Sequence, residues 1–207
     1  MLARMSNPSP YSPSPKFRDR QHVLLIEIAE SVLASEGLAA VQARRIAKEA
    51  GCSVGTLYNI FGDIDGLILA ANERTLNALG VALQRAAANA NSGDLKSRLM
   101  ALATAYLDFA TANPRRWRAV FEHRLPEGRE IPAFYVEDRR RLIGLIETQI
   151  APVIAHSQPR SDAAHALFSA VHGIVLLSLD EKLSPFDPAT CHRQLRFLIE
   201  NVSCGLE

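Results

Sequence analysis

Thr56, Tyr58 and Asn59 place a hydroxyl, a phenol and a carboxamide close together, in a stretch from Ala50 to Gly62 with no charged side chain. Neutral groups of this kind suit hydrogen bonding to base edges and to phosphate. Other chemistry finds little support. His156, His165, His172 and His192 form no metal pattern on one helix, since His165 and His172 lie two turns apart. Cys52, Cys191 and Cys204 lack metal-ligand spacing. There is no nucleophile elbow, no phosphate-cradling glycine loop and no acid pair in a strand–loop context. An enzyme is not expected, and neither is a metal or a cofactor.

The neutral stretch needs a frame. Leu25, Ile28, Ala29 and Val32 form one helical stripe, and Gly37 ends that helix. A short helix over about 43–50 stops at Gly51. Ser53 can cap another over about 54–60. Two short helices with a tight turn between them make a helix-turn-helix, whose second helix enters the DNA major groove. Gly51 supplies the turn, and Cys52 is small enough to be buried there. Leu57 and Phe61 are spaced to face the core. Val54, Gly55, Thr56, Tyr58 and Asn59 then turn outward. Gly55 admits a close backbone approach. Val54 and the Thr56 methyl can meet thymine methyls, Thr56 and Asn59 can hydrogen-bond, and the Tyr58 hydroxyl can reach a phosphate.

Cations belong on the neighbours of such a helix. Lys16, Arg18 and Arg20 lie in a basic arm, and Arg44, Arg45 and Lys48 on the preceding helix. Up to Gly62, seven Lys and Arg face five Asp and Glu, a balance of +2. The whole chain of 207 residues carries only +1. Any nucleic-acid site is therefore a local patch.

The rest of the chain reads as helix. Residues 1–15, with their alternating Pro and Ser, are expected to be a disordered arm. After Gly62, Asp63 caps a long helix to about residue 89. Asp94 caps one to about 111, and Pro114 opens another. Pro132 starts a long helix to about 156, which Pro152 should kink or end. "SQPRSD" reads as a loop, followed by helices over about 162–180 and 187–202. No segment alternates like a strand. The fold class expected is all-α, with about nine helices. Residues 16–62 are expected to form the DNA-binding domain, and 63–207 a larger helical bundle.

Three cysteines, an odd number, argue against a disulfide framework. The longest apolar run, around 170–179, is short for a bilayer, and His172 interrupts it. No apolar signal-peptide core is evident. A cytoplasmic protein without a membrane partner is expected.

The segment from about Arg20 to Leu67 resembles the DNA-binding domain of the tetracycline-repressor (TetR) family. The resemblance rests on "ASEG" and then "RRIAKEAGCSVGTLYNIFGDIDGL". It implies that Arg44 reaches a base and that Gln42 sits at the cap of the second helix, where family members meet phosphate. It also implies that Val54, Gly55, Thr56 and Tyr58 face DNA. Two departures stand out. Val54 and Ile64 occupy positions where the family often has Lys, with Asp63 and Asp65 beside the second. Weaker non-specific binding and a shallower salt dependence are expected.

In the C-terminal half, "NPRRWRAVF" and "FSAVHGIVLL" are similar to the paired signatures of a His-Gly subgroup of that family, with Phe168 where Trp is usual. The subgroup implies a ligand-binding, dimerising domain. Tyr106, Phe109, Trp117, Phe121, Phe134 and His172 can line a small-molecule pocket or simply pack in the core. The clusters Arg115, Arg116, Arg118 and Arg139–Arg141 read as solvated helix faces. Leu167, Val171 and Ile174 on one helix, with Leu195, Leu198 and Val202 on the next, can form a dimer seam or the monomer's own core. The resemblance favours the dimer.

Together these readings give a DNA-binding transcriptional regulator. It is expected to be an effector-responsive repressor that binds near-palindromic double-stranded DNA as a homodimer. The alternative is a helical small-molecule-binding protein that has lost DNA binding.

Overall fold

The computed structural model describes residues 15–90, 93–180 and 187–206, and side chains from Arg18 onward. All but Pro15 of the disordered arm expected over residues 1–15 lies outside the described residues, as do the Lys16 side chain and parts of two loops. Among the described residues the chain is all-α, with nine α-helices and one short 3₁₀ turn. It divides into two compact units, Met1–Ala71 and Asn72–Glu207.

The first unit begins with α1 (Pro15–Glu36). Pro15 at its start needs no amide hydrogen bond, so the helix opens there and takes in "KFRDRQ". Arg18 and Arg20 are thus exposed on helical turns, not on the extended arm that was expected. Leu25, Ala29, Val32 and Leu33 are buried along one side of α1. After the 3₁₀ turn Leu38–Ala40 come α2 (Ala43–Glu49) and α3 (Val54–Phe61). Ile46, Ala47 and Leu57 meet α1 in a small core, each at most 1% exposed. The turn between α2 and α3 depends on Gly51, whose φ of 65° is the left-handed region. Ser53 Oγ then accepts a hydrogen bond from the Thr56 amide at 3.1 Å and starts α3.

The helix α4 (Ile64–Asn89) follows. Asp63 Oδ1 accepts the Gly66 amide at 2.9 Å and caps it. A Cβ at position 66 would lie 2.1 Å from the Phe61 carbonyl oxygen, so only glycine fits there. The second unit begins within α4, at Asn72.

That unit adds α5 (Leu95–Ala112), α6 (Pro114–Glu122), α7 (Ala133–Ile150), α8 (Ser157–Ser178) and α9 (Pro188–Leu206). Asp94 and Asp187 cap α5 and α9, each accepting an amide hydrogen bond at 2.7 Å from three residues on. α7 stops before Pro152, as the proline requires. α8 begins at Ser157, five residues before the expected start. "SQPRSD" is its opening turns, not a loop, because Pro159 falls in the first turn, where no intrahelical amide bond is lost.

Helices α5, α7, α8 and α9 pack around Leu99, Leu102, Trp117, Ile150, Leu195 and Ile199. Full burial of one such leucine contributes roughly 1.5–3 kcal/mol. α8 is the one described helix long and apolar enough, by length and composition, to cross a membrane. Ala164, Leu167, Val171 and Val175 account for part of that apolarity by packing into the domain core.

Candidate DNA interface and effector cavity

On α3, Leu57 is fully buried and Phe61 stacks on His22 with ring centroids 4.9 Å apart. The opposite side carries Gly55, Tyr58 and Asn59, all exposed at spacings of three and four. Val54 and Thr56 are half-buried flanks. The Thr56 hydroxyl lies 3.0 Å from Ser53 Oγ, so the cap also orients it. Gly55 is helical, and a Cβ there would meet only Ser53 Oγ at 3.6 Å. The protein itself has no steric need for glycine at this position.

The neighbouring α2 supplies charge. Arg44 and Lys48 are exposed. Arg45 is held differently. Its guanidinium donates to Glu36 at 2.7 Å and to Glu49 at 2.9 Å. Those two carboxylates push its pKa further up and cancel its charge locally. Gln42 occupies the N-cap position of α2 with extended backbone and makes no side-chain cap bond, leaving its exposed carboxamide uncommitted to the helix.

In the C-terminal unit, Tyr106, Trp117, Phe121 and His172 come together. Trp117 Nε1 donates to the Tyr106 hydroxyl at 3.0 Å. That hydroxyl lies 2.8 Å from His172 Nδ1. Phe121 and Phe168 flank the imidazole, with centroids 4.3 and 5.7 Å away. Burial pushes the Tyr106 pKa up and the His172 pKa down, so both are neutral near pH 7. Tyr106 and Phe168 also border an apolar cavity of about 50 Å³, completed by leucines of α4, α5 and α7 and by Val171 and Ile199. Phe109 packs against the domain core, and Phe134 meets Tyr135 at 6.4 Å. Neither borders this cavity, and nor do Trp117, Phe121 and His172, so Tyr106 is the one of the six expected pocket residues in its lining.

The six residues expected at a dimer seam take part in the domain's own packing. Leu167, Val171 and Leu195 lie inside the domain's own core, and Ile174, Leu198 and Val202 pack against it. An amphipathic stripe satisfies its own bundle first. The outward sides of the same helices carry Ala166, Ser169, Leu176 and Leu177 on α8 and Phe197 on α9. Phe197 is 72% exposed.

The arginine clusters divide. Arg139, Arg140 and Arg141 are exposed, as a solvated face requires. Arg118 is not so placed, since it donates to the Leu179 carbonyl at the end of α8. Arg116 reaches Thr75 at 3.3 Å. Among the described residues no group of three or more His, Cys, Asp or Glu side chains is placed to hold a metal ion.

Two family models match this chain. "Bacterial regulatory proteins, tetR family" matches residues 25–71, and "Tetracyclin repressor-like, C-terminal domain" matches residues 99–202. The chain belongs to the TetR family. No match was found among curated proteins. Solved structures share the fold. A protein of unknown function from Rhodococcus sp. RHA1 is 24% identical, with a TM-score of 0.72 over 96% of this chain and 98% of its own. A bacterial regulatory protein in the tetR family from Rhodococcus RHA1 is 19% identical, with a TM-score of 0.63 over 89% and 97%. The transcriptional regulator FadR from Bacillus subtilis, in complex with stearoyl-CoA, is 14% identical, with a TM-score of 0.64 over 86% and 97%. The helix-turn-helix of this TetR-family protein is thus α2–turn–α3, and the two matched regions reach from α1 to α9.

Two features of the C-terminal unit were hidden in the sequence. Phe168 borders both the polar cluster and the cavity, yet it reads there only as a replaced Trp. Asp138 is 8% exposed although three arginines follow it. Its helical register with Tyr135, Leu142 and Leu145, which the neighbouring Glu137 does not share, was the only signal.

Proposed function

We propose that this TetR-family protein is an effector-responsive transcriptional repressor that binds a near-palindromic operator as a homodimer. The observation that carries the reading is the outer side of α3. It presents Gly55, Tyr58 and Asn59 to solvent, and the adjoining helix α2 exposes the cations Arg44 and Lys48. A glycine inside a helix costs stability relative to alanine. Nothing in the protein crowds Gly55, so close approach of a partner explains it. Tyr58 and Asn59 supply contacts to phosphate and base edges, with Thr56 and Val54 at the margin. Gln42, Ser53 and Arg44 flank them, whereas the charge of Arg45 is cancelled within the domain.

Two copies joined through the outward sides of α8 and α9 would set two α3 helices about 34 Å apart, one turn of DNA. The effector enters the apolar cavity beside Tyr106 and Phe168. Its lining calls for an apolar body, the chemistry of the acyl chain that FadR from Bacillus subtilis is seen with. Because α4 belongs to both units, a shift of its second half on effector binding is carried to the helix-turn-helix. A coupling of about 1–3 kcal/mol would change operator affinity roughly five- to 150-fold.

Footprinting of the purified protein on DNA beside its own gene, with and without acyl ligands, tests this. A protected, two-fold-related site that the ligand releases is expected. The neutral Val54 and Ile64 and the internally paired Arg45 favour a second reading, a ligand-binding protein without an operator. Absence of retardation at low salt by an intact dimer would establish that reading instead.

A further inference from the structure

A second cavity, of about 150 Å³, lies between α4 and α7. Two facing stripes form it. From α4 come Leu76, Asn77, Gly80, Val81 and Gln84, and from α7 come Asp138, Arg141, Leu142 and Leu145. Asp138 is the only carboxylate in the lining, and its side chain is 8% exposed. Its Oδ1 meets Arg141 at 3.3 Å, but its Oδ2 is buried with no hydrogen-bond partner. Arg141 is itself 58% exposed, so water screens its charge.

An ionised oxygen buried without a donor is costly, and structures place a donor or cation beside it. The volume holds several water-sized groups or one short organic molecule. A metal ion would need several hard oxygen ligands, and one carboxylate with two amides is a poor set. An ammonium group fits better. It brings three N–H donors, and the Asp138 carboxylate with the side-chain carbonyls of Asn77 and Gln84 offers three acceptors. Leu76, Val81, Leu142 and Leu145 suit a short alkyl body.

We propose that Asp138 anchors the ammonium group of a small primary amine in the cavity between α4 and α7. This site goes beyond the effector reading above. It is polar where the other cavity is apolar, and it lies on α4, the helix that belongs to both units.

The test is calorimetric titration of the full chain with n-butylammonium, set against butan-1-ol and butyrate. Saturable binding of the amine alone is expected. Asp138→Asn keeps the shape and removes the charge, and should weaken that binding about tenfold or more. Gly80→Leu plugs the cavity from the α4 side. A Cβ there meets only Leu142 Cδ2 at 3.5 Å, so the backbone accepts a side chain at this position, and amine binding should disappear. Arg141→Ala removes the competing cation and should tighten binding. No saturable amine binding, equal binding of the alcohol, or butyrate binding lost in Arg141→Ala would each overturn the proposal. If Asp138→Asn does not fold, Gly80→Leu decides. Operator retardation measured on the same samples separates the two readings. Amine binding without retardation sinks only the regulator, and retardation without amine binding sinks only this site.

Discussion

The His172 Nδ1 atom sits 2.8 Å from the hydroxyl of Tyr106, a residue 66 positions away in the chain. Trp117 can only donate to that hydroxyl, so the phenolic proton goes to His172. The imidazole proton is therefore on Nε2. A second proton on the ring would occupy the Nδ1 lone pair that accepts the phenolic hydrogen bond. Burial already holds the His172 pKa below its usual 6.5. Below that pH the unfolded chain takes up a proton that the folded protein resists, so stability falls as pH drops. Thermal unfolding followed from about pH 7.5 to about pH 5.5 should show a falling midpoint, and His172→Phe should flatten that fall. An unchanged slope in the variant would mean that His172 charges freely in the folded state.

The same hydroxyl satisfies the Trp117 N–H in the core. Tyr106→Phe leaves that donor unpaired and should destabilise the protein by about 1–3 kcal/mol in urea unfolding. The loss exceeds what removing one exposed hydroxyl would give, because Trp117 is 1% exposed.

Gly55→Ala should act with opposite signs on folding and on DNA binding. It raises helix propensity and meets only Ser53 Oγ, so stability rises by about 0.5 kcal/mol. If this side of α3 enters the groove, the added methyl stands in the way of its wall, and operator affinity should drop. Tyr58→Ala and Arg44→Ala should also weaken retardation, Arg44 by about 1–3 kcal/mol if it pairs with a guanine. Undiminished affinity in all three would place the DNA contact elsewhere.

Which parts of this were legible in the sequence follows from how local each interaction is. The caps at Ser53, Asp63, Asp94 and Asp187 each join a side chain to an amide three residues on, and all four could be read from residue type. The start of α8 could not, because Pro159 signals a loop and a first helical turn equally well. The Tyr106–His172 bond depends on how α5 and α8 pack, which no spacing encodes. Leu167 and Leu195 show the deeper ambiguity. An apolar stripe has the same pattern whether it faces its own bundle or a second copy.

Lys48 and Arg45 lie three residues apart on α2 but differ in what surrounds them. Lys48 is exposed, and Arg45 is paired with Glu36 and Glu49. If Lys48 neutralises one phosphate per protomer, Lys48→Ala should reduce the slope of log affinity against log salt by about 2 for a dimer. Arg45→Gln should leave that slope nearly unchanged. Titrations between about 50 and about 200 mM salt resolve the difference. Equal slopes for both variants would show that Arg45 leaves its carboxylates when DNA binds.

Gly173 separates the monomer's needs from those of a dimer. It lies in the last third of α8, and a Cβ added there meets no heavy atom within 4 Å. Gly173→Leu should therefore leave the monomer folded, with helix content intact and stability equal or higher by up to about 1 kcal/mol. Ser169 and Leu176 lie four residues before it and three after, on the outward side of the helix. Packing of that side on a second copy brings two backbones close, and a leucine would hold them apart. Sedimentation should then show monomer at concentrations where the parent is dimeric, with operator binding lost in parallel. Gly144→Leu on α7 is the matched control, since its Cβ also meets open space. Dissociation by both variants would point to a general loosening of the bundle. Dissociation by neither would move the seam away from α8, to a surface that includes neither glycine.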